Sequence, residues 1–233
     1  QEYRAVDVLV DGLRRLEYRG YDSAGVAILE GGEIAVRRAK GKLINLEGTL
    51  RERPLQGHLG IGHTRWATHG KPSEKNAHPH RAGHVVIVHN GIIENYRALR
   101  SELEGRGAEI QSDTDSELIA HLIDERVGEG KDLLTAVRES CGDLVGSYAL
   151  AAICDQDPGL LVTAKNGGSP IIIGQGDKQS FLASDIPAVL PYTREIISLH
   201  DGDFAALTEE GAQVCDISGH PIDREFSVVQ WDP

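Results

Sequence analysis

The sequence predicts an α+β fold built from layered, mostly antiparallel sheets and helices. Helical apolar periodicity and short apolar runs alternate through the first 141 residues. From residue 145 onward only strand-like runs recur, separated by Gly, Pro or Asp turns. Connections as short as Asp201-Gly202-Asp203 favour antiparallel pairing over helical crossovers. No internal repeat or low-complexity segment divides the chain, which reads as one layered domain.

Val6, Leu9, Val10, Leu13 and Leu16 keep helical spacing and Gly20 follows as a terminator, so residues 3–17 are predicted helical. Apolar runs at 25–29 and 34–36 flank Glu30-Gly31-Gly32-Glu33, a hairpin turned on glycine. A weaker helix covers 42–52. Residues 59–63 and 85–89 read as buried strands on either side of a polar segment. Helical periodicity then covers 92–105, 115–127 and 133–141. The expected later strands are 147–153, 160–164, 171–173, 181–183, 195–199, 204–207 and 213–217.

The 233 residues suffice for a substantial core, and 40% apolar with 26% charged residues suits a soluble globular protein. Twenty-four Lys and Arg against 36 Asp and Glu give a net charge of −12, which disfavours non-specific binding to nucleic acid or anionic membrane. Apolar runs are far too short to span a bilayer. Gln1-Glu2-Tyr3-Arg4 leads straight into an amphipathic pattern without a secretory signal. Cys141, Cys154 and Cys215 are odd in number and lack CxxC spacing, which points to buried thiols and a reducing cytoplasm. The chain has no Met and ends abruptly in Val228-Val229-Gln230-Trp231-Asp232-Pro233, so both termini read as cuts in a longer polypeptide.

His63-Thr64-Arg65-Trp66-Ala67-Thr68-His69-Gly70 concentrates directional polar groups in eight residues. Arg meets carboxylates bidentately, and neighbouring hydroxyl or imidazole groups complete such a site, so this segment is expected to bind a carboxylate or phosphate. A surface Arg at a strand end is the plainer alternative. Asn90-Gly91 follows an apolar strand, and Ile92-Ile93-Glu94-Asn95-Tyr96 reads as a helix entry in place of a hairpin return. There the Asn90 side-chain N–H and the Gly91 backbone N–H offer two donors to one oxygen, as an oxyanion hole requires. In Ser112-Asp113-Thr114-Asp115-Ser116-Glu117, helix capping accounts for one Asp, and the other is free to pair with an ammonium group. Glu17–Ser23 has the plain reading of a loop after a glycine cap. Seven histidines between His58 and His89 suggest zinc or nickel, yet no HExxH or cysteine partner accompanies them; no metal or other cofactor is expected.

Taken together, Glu17–Ser23, His63–Gly70, Asn76–His80, His89–Tyr96 and Ser112–Asp115 resemble the glutaminase domains of glutamine–fructose-6-phosphate aminotransferases, class II amidotransferases, over essentially the whole chain. The resemblance implies the four-layer α/β/β/α N-terminal-nucleophile hydrolase fold with two stacked antiparallel sheets. Residues 1–225 would be the glutaminase domain and 226–233 the start of a linker to a sugar isomerase domain. The implied reaction releases the amide nitrogen of L-glutamine as ammonia, which converts fructose 6-phosphate to glucosamine 6-phosphate in a homodimeric enzyme. Arg65, Thr68 and His69 would hold the glutamine carboxylate and Asp115 its ammonium. Asn90 and Gly91 would form the oxyanion hole, Trp66 would gate ammonia, and Arg19 would lie near the catalytic end.

Such domains begin with a Cys-Gly-Ile-Val-Gly strand whose cysteine attacks the amide. Gln1 aligns eight to ten positions inside that start, so the 233-residue chain is expected to be inactive by itself. A non-catalytic amino-acid-binding regulatory domain is the alternative.

Overall fold

The computed structural model describes residues 3–66 and 70–230. Its first helix, α1 (Ala5–Arg15), is followed by one 3₁₀ turn over Glu17–Arg19. The hairpin β1 (Ser23–Glu30) and β2 (Glu33–Lys40) turns on Gly31 and Gly32, both with positive φ. Helix α2 (Leu43–Glu52) leads to β3 (Leu59–Arg65), which pairs antiparallel with the other side of β1.

A second, seven-stranded antiparallel sheet starts with β4 (His80–Ala82) and β5 (Val85–Ile93). Three helices follow: α3 (Tyr96–Gly105), α4 (Ser116–Gly128) and α5 (Leu133–Gly142). Strands β6 (Gly146–Cys154) and β7 (Leu161–Asn166) continue the chain. The hairpin β8 (Ile172–Gly176) and β9 (Gln179–Ala183) precedes the short helix α6 (Ile186–Val189). The remaining strands are β10 (Glu195–Ser198), β11 (Phe204–Thr208), β12 (Gly211–Cys215), β13 (Pro221–Ile222) and β14 (Ser227–Val228). The large sheet runs β13-β12-β11-β7-β6-β5-β4; the others run β2-β1-β3 and β14-β10-β8-β9.

Strict alternation along the strands builds four layers, α/β/β/α. Ala24, Val26 and Ile28 of β1 face Val6, Leu13, Leu43 and Leu46 of the first two helices. The intervening Ala27 packs with Ile61 against Val86, Ala151 and Ile153 of the large sheet. On that sheet's opposite face, Val85, Ile87, Leu150 and Ala152 meet Leu103, Leu118, Ile119 and Val137 of α3–α5. The period of two thus sends neighbouring side chains into separate cores. The expected stacked antiparallel sheets are present, with the layer facing the large sheet divided into two hydrogen-bonded groups.

Three local expectations need correction. The segment after Asn90-Gly91 is not a helix entry: β5 continues to Ile93, paired residue for residue with β6, and α3 begins only at Tyr96. The polar segment expected between the 59–63 and 85–89 strands contains a further strand, β4, held by pairing with β5. The region after residue 145 is not all strand, because α6 interrupts it, capped where the Asp185 carboxylate accepts from the Ile186 N–H.

Candidate active site

A cavity of about 920 Å³ opens between the layers. Its walls include the full length of β3 and of β9, each the last strand of its own sheet, together with parts of α1 and β5. Arg19, Arg65, Trp66, Asn90, Gly91 and Asp115 all line it. The described site residues expected from sequence are therefore brought together, although they come from four separate segments. Thr68 and His69 lie outside the described residues.

Arg65 ends β3 and is only 4% exposed. Its Nη2 donates to the Gly70 carbonyl at 3.2 Å, and Nη1 lies 4.0 Å from Asp22 Oδ1. Burial lowers its pKa from the usual 12.5, opposed by the carboxylates of Asp22 and Asp115. A guanidinium desolvated to this degree at a cavity wall gains from a carboxylate ligand.

Asp115 occupies the N-cap position of α4, but its carboxylate caps nothing. It is buried, and Oδ2 accepts from the Ile93 N–H at 2.8 Å. Thr114 Oγ1 instead accepts from the Glu117 N–H at 3.3 Å. Glu117 receives the Gln111 and Ser112 N–H groups at 2.8 and 2.5 Å. Burial opposes ionisation of Glu117, but His121, 3.5 Å away, together with those bonds holds its carboxyl at about 2. Asp113 is exposed and accepts from Lys75 and Asn76. Capping, expected to explain one of the two Asp residues, uses neither carboxylate.

Asn90 and Gly91 lie opposite Ala149 and Tyr148 in the large sheet. Asn90 Oδ1 accepts from His63 Nε2 at 2.7 Å. Gly91 has φ +141°, and a Cβ there would stand 2.0 Å from the Ser147 carbonyl oxygen. His89, between them and the helices, donates from Nε2 to that carbonyl at 3.3 Å and accepts from the Ser116 hydroxyl at Nδ1, 2.8 Å away.

At the far end, Arg19 donates through Nη1 to Ser184 Oγ at 2.9 Å and through Nη2 to Asp185 Oδ2 at 2.8 Å. Trp66 is 69% exposed and lies against Gly20, where a Cβ would come within 2.7 Å of its ring. The plain loop reading of Glu17–Ser23 therefore misses an anchoring role.

The buried imidazoles of His63 and His78 lie 4.2 Å apart, with His80 edge-on to His78 at 4.5 Å. Burial pushes His63 down to about 4 and His80 to about 3. His78 reaches this place because Gly25 of β1 has no side chain; a Cβ there would stand 2.0 Å from the His78 carbonyl oxygen. Among the described residues no group of three or more His, Cys, Asp or Glu is arranged to hold a metal ion. No helix among them is long and apolar enough to cross a membrane. All three cysteines are buried, none lines the cavity, and burial raises Cys141 to about 12.

Sequence reasoning missed His63, Ser184 and Asp185 as site residues. Asp185-Ile186-Pro187, a cap residue followed by Pro in the first turn, was the available signal for the last two.

Residues 63–191 match the family described as "Glutamine amidotransferase domain". The glutamine–fructose-6-phosphate aminotransferase [isomerizing] of Clostridium perfringens is 49% identical over 231 residues, 98% of this chain and 37% of that protein. The protein of the same name from a strain of Thermus thermophilus is 49% identical over 229 residues, 97% of this chain and 37% of that protein. The chain thus spans little more than a third of the length of these relatives. Among solved structures, glutamine phosphoribosylpyrophosphate amidotransferase from B. subtilis is similar with a TM-score of 0.79 at 25% identity, covering 93% of this chain and 48% of that one. A glutamine aminotransferase class-II domain protein from Silicibacter pomeroyi shares the fold, with a TM-score of 0.60 at 19% identity over 84% of this chain and 91% of its own.

Proposed function

We propose a function from the premise that the chain belongs to the glutamine amidotransferase domain family: it binds L-glutamine in the cavity between its layers and directs hydrolysis of the side-chain amide to glutamate and ammonia. The observation that carries this reading is the pairing of a buried cation, Arg65, with a buried anion, Asp115, on the wall that also holds Asn90-Gly91. A free amino acid presents the complementary pair of charges.

Arg65 takes the α-carboxylate, with Thr68 and His69 assigned to it through the resemblance, and Asp115 takes the α-ammonium. The amide carbonyl then lies toward Asn90 Nδ2 and the Gly91 N–H, donors for the oxyanion of the tetrahedral intermediate. Arg19, tied to Ser184 and Asp185, borders the reacting end. Trp66, exposed over Gly20, is suited to cover it. Attack falls to a cysteine from outside the described residues, the N-terminal one implied by the resemblance, whose own α-amine serves as base. In the full polypeptide, an enzyme of the glutamine–fructose-6-phosphate aminotransferase type, the ammonia passes to a sugar isomerase domain that makes glucosamine 6-phosphate. A cytoplasmic homodimer is the proposed setting.

One observation favours a second reading: no thiol lines the cavity among the described residues, as in an amino-acid-binding regulatory module. Glutamate release by the full polypeptide decides between them. Asn90→Ala is expected to lower kcat about 10²–10³-fold, the usual cost of one oxyanion donor. An unchanged kcat places the oxyanion elsewhere. Glutamine binding without turnover selects the regulatory module.

A further inference from the structure

On the amidotransferase reading above, we infer that His63 is a positioning residue: it clamps the carbonyl end of the Asn90 amide, so that the NH₂ end is the one left for the substrate oxygen.

An Asn side chain has a donor end and an acceptor end of nearly equal shape, and only the donor end suits an oxyanion. Something must choose between them. Asn90 Oδ1 lies 2.7 Å from His63 Nε2. An amide oxygen only accepts, so Nε2 carries the proton. Burial pushes His63 down to about 4, which leaves the ring neutral at pH 7 with a single N–H to place. Nδ1 is buried and has no hydrogen-bond partner among the described residues. A proton on Nδ1 would therefore be a buried donor without an acceptor, whereas on Nε2 it is used. The tautomer fixes the amide. The reversed amide would set NH₂ against Nε2–H, donor facing donor, leaving both buried N–H groups without an acceptor.

The ring is also held in place. His78 packs on its face with centroids 4.2 Å apart and planes 34° apart. His63 belongs to β3 and Asn90 to β5, strands in different sheets, so the bond spans the gap between layers. Other buried groups near the ring, His89 and Arg65, contribute charge effects that only depress its protonation further.

The test is glutaminase kinetics in the full polypeptide. His63→Phe keeps a ring against His78 and removes the N–H; it is expected to lower kcat about ten- to hundredfold, less than loss of the donor itself, with KM for glutamine within about threefold of the parent. His63→Gln restores an N–H and is expected to recover kcat to within about tenfold of the parent. In an Asn90→Ala background, His63→Phe is expected to cost nothing more, because its only route of action is gone. A folded His63→Phe with unchanged kcat, or losses that multiply in the double variant, overturns the inference. Should His63→Phe not fold, a folded His63→Gln with kcat as low as that of Asn90→Ala overturns it instead. Loss in Asn90→Ala without loss in His63→Phe defeats only this inference. No loss in either defeats the oxyanion assignment beneath it.

Discussion

The seven-stranded sheet and the layer facing it are made of similar strands, yet the first is continuous and the second is divided. The large sheet is covered on one face by α3–α5 and on the other by the divided layer, and its central strands β5 and β6 pair over nine residues. The facing layer ends one group of strands at β3 and begins the next at β9, with the cavity lined by both. Continuity on one side supplies a rigid mount for Asn90, Gly91 and, through Ile93, Asp115. The division on the other supplies space, with Arg65 and Arg19 at its margins. A packed sheet alone has no room for a ligand, and a divided layer alone cannot hold donors fixed. The difference between the layers is what makes a site.

Acid is expected to produce the largest effect on this contrast. His63, His78, His80 and His89 are buried between the layers, and desolvation lowers each from the ordinary 6.5. Above pH 6.5 folded and unfolded chains are both unprotonated at these rings, which then contribute nothing. Below it the unfolded chain binds protons that the folded chain refuses until about pH 4 at His63 and about pH 3 at His80. Stability therefore falls as the pH drops below 6.5, by at most about 1.4 kcal/mol per unit for each of His63 and His80, with His78 and His89 acting in the same direction. Urea midpoints from pH 7 to 4.5 measure this, and hydrogen exchange is expected to rise in β3 before β6. A flat midpoint down to pH 5 contradicts the burial of neutral rings. Simultaneous exchange in both strands removes the asymmetry.

Backbone crowding gives the next effect. Gly91→Ala forces a Cβ against the Ser147 carbonyl at positive φ and is expected to cost more than about 3 kcal/mol. Gly62→Ala in β3 meets Val26 Cγ1 at 3.3 Å and Leu13 Cδ1 at 3.4 Å, flexible ends that give way for about 1 kcal/mol. Equal losses in thermal or urea unfolding would mean that the two layers are equally stiff. A smaller contrast comes from truncation. Leu150→Ala, fully buried in β6, is expected to cost about 3 kcal/mol, and Leu182→Ala, half-buried in β9 beside the cavity, about 1 kcal/mol.

Much of this was legible in the sequence because much of it is local. Alternation or continuous apolarity marked β1, β5 and β6, and the chemistry of Arg65, Asn90 and Asp115 was visible in side-chain type. What escaped depended on partners distant in the chain. Ile92 and Ile93 suit a helix entry as well as a strand, and only pairing with Ser147 and Gly146 makes them strand. His80–Ala82 is too short to announce itself before β5 pairs with it. His63 was one histidine among seven until the fold set its ring against Asn90. Capping, expected to use one of Asp113 and Asp115, is a role that Thr114 fills instead.

Gly25 has a consequence that reaches beyond its own strand. The Cβ it lacks would stand 2.0 Å from the His78 carbonyl and 3.0 Å from that of Arg37, two backbone atoms with no rotamer by which to retreat. A single added methyl would act as a wedge under the 76–80 segment, lifting His78 from His63 and so loosening the ring that steadies Asn90. The smallest possible enlargement, made on the outer hairpin, is thereby geared through three contacts to an atom in another sheet. For anyone reshaping this domain, the tolerance of the proposed oxyanion site is set partly by a residue that never touches it.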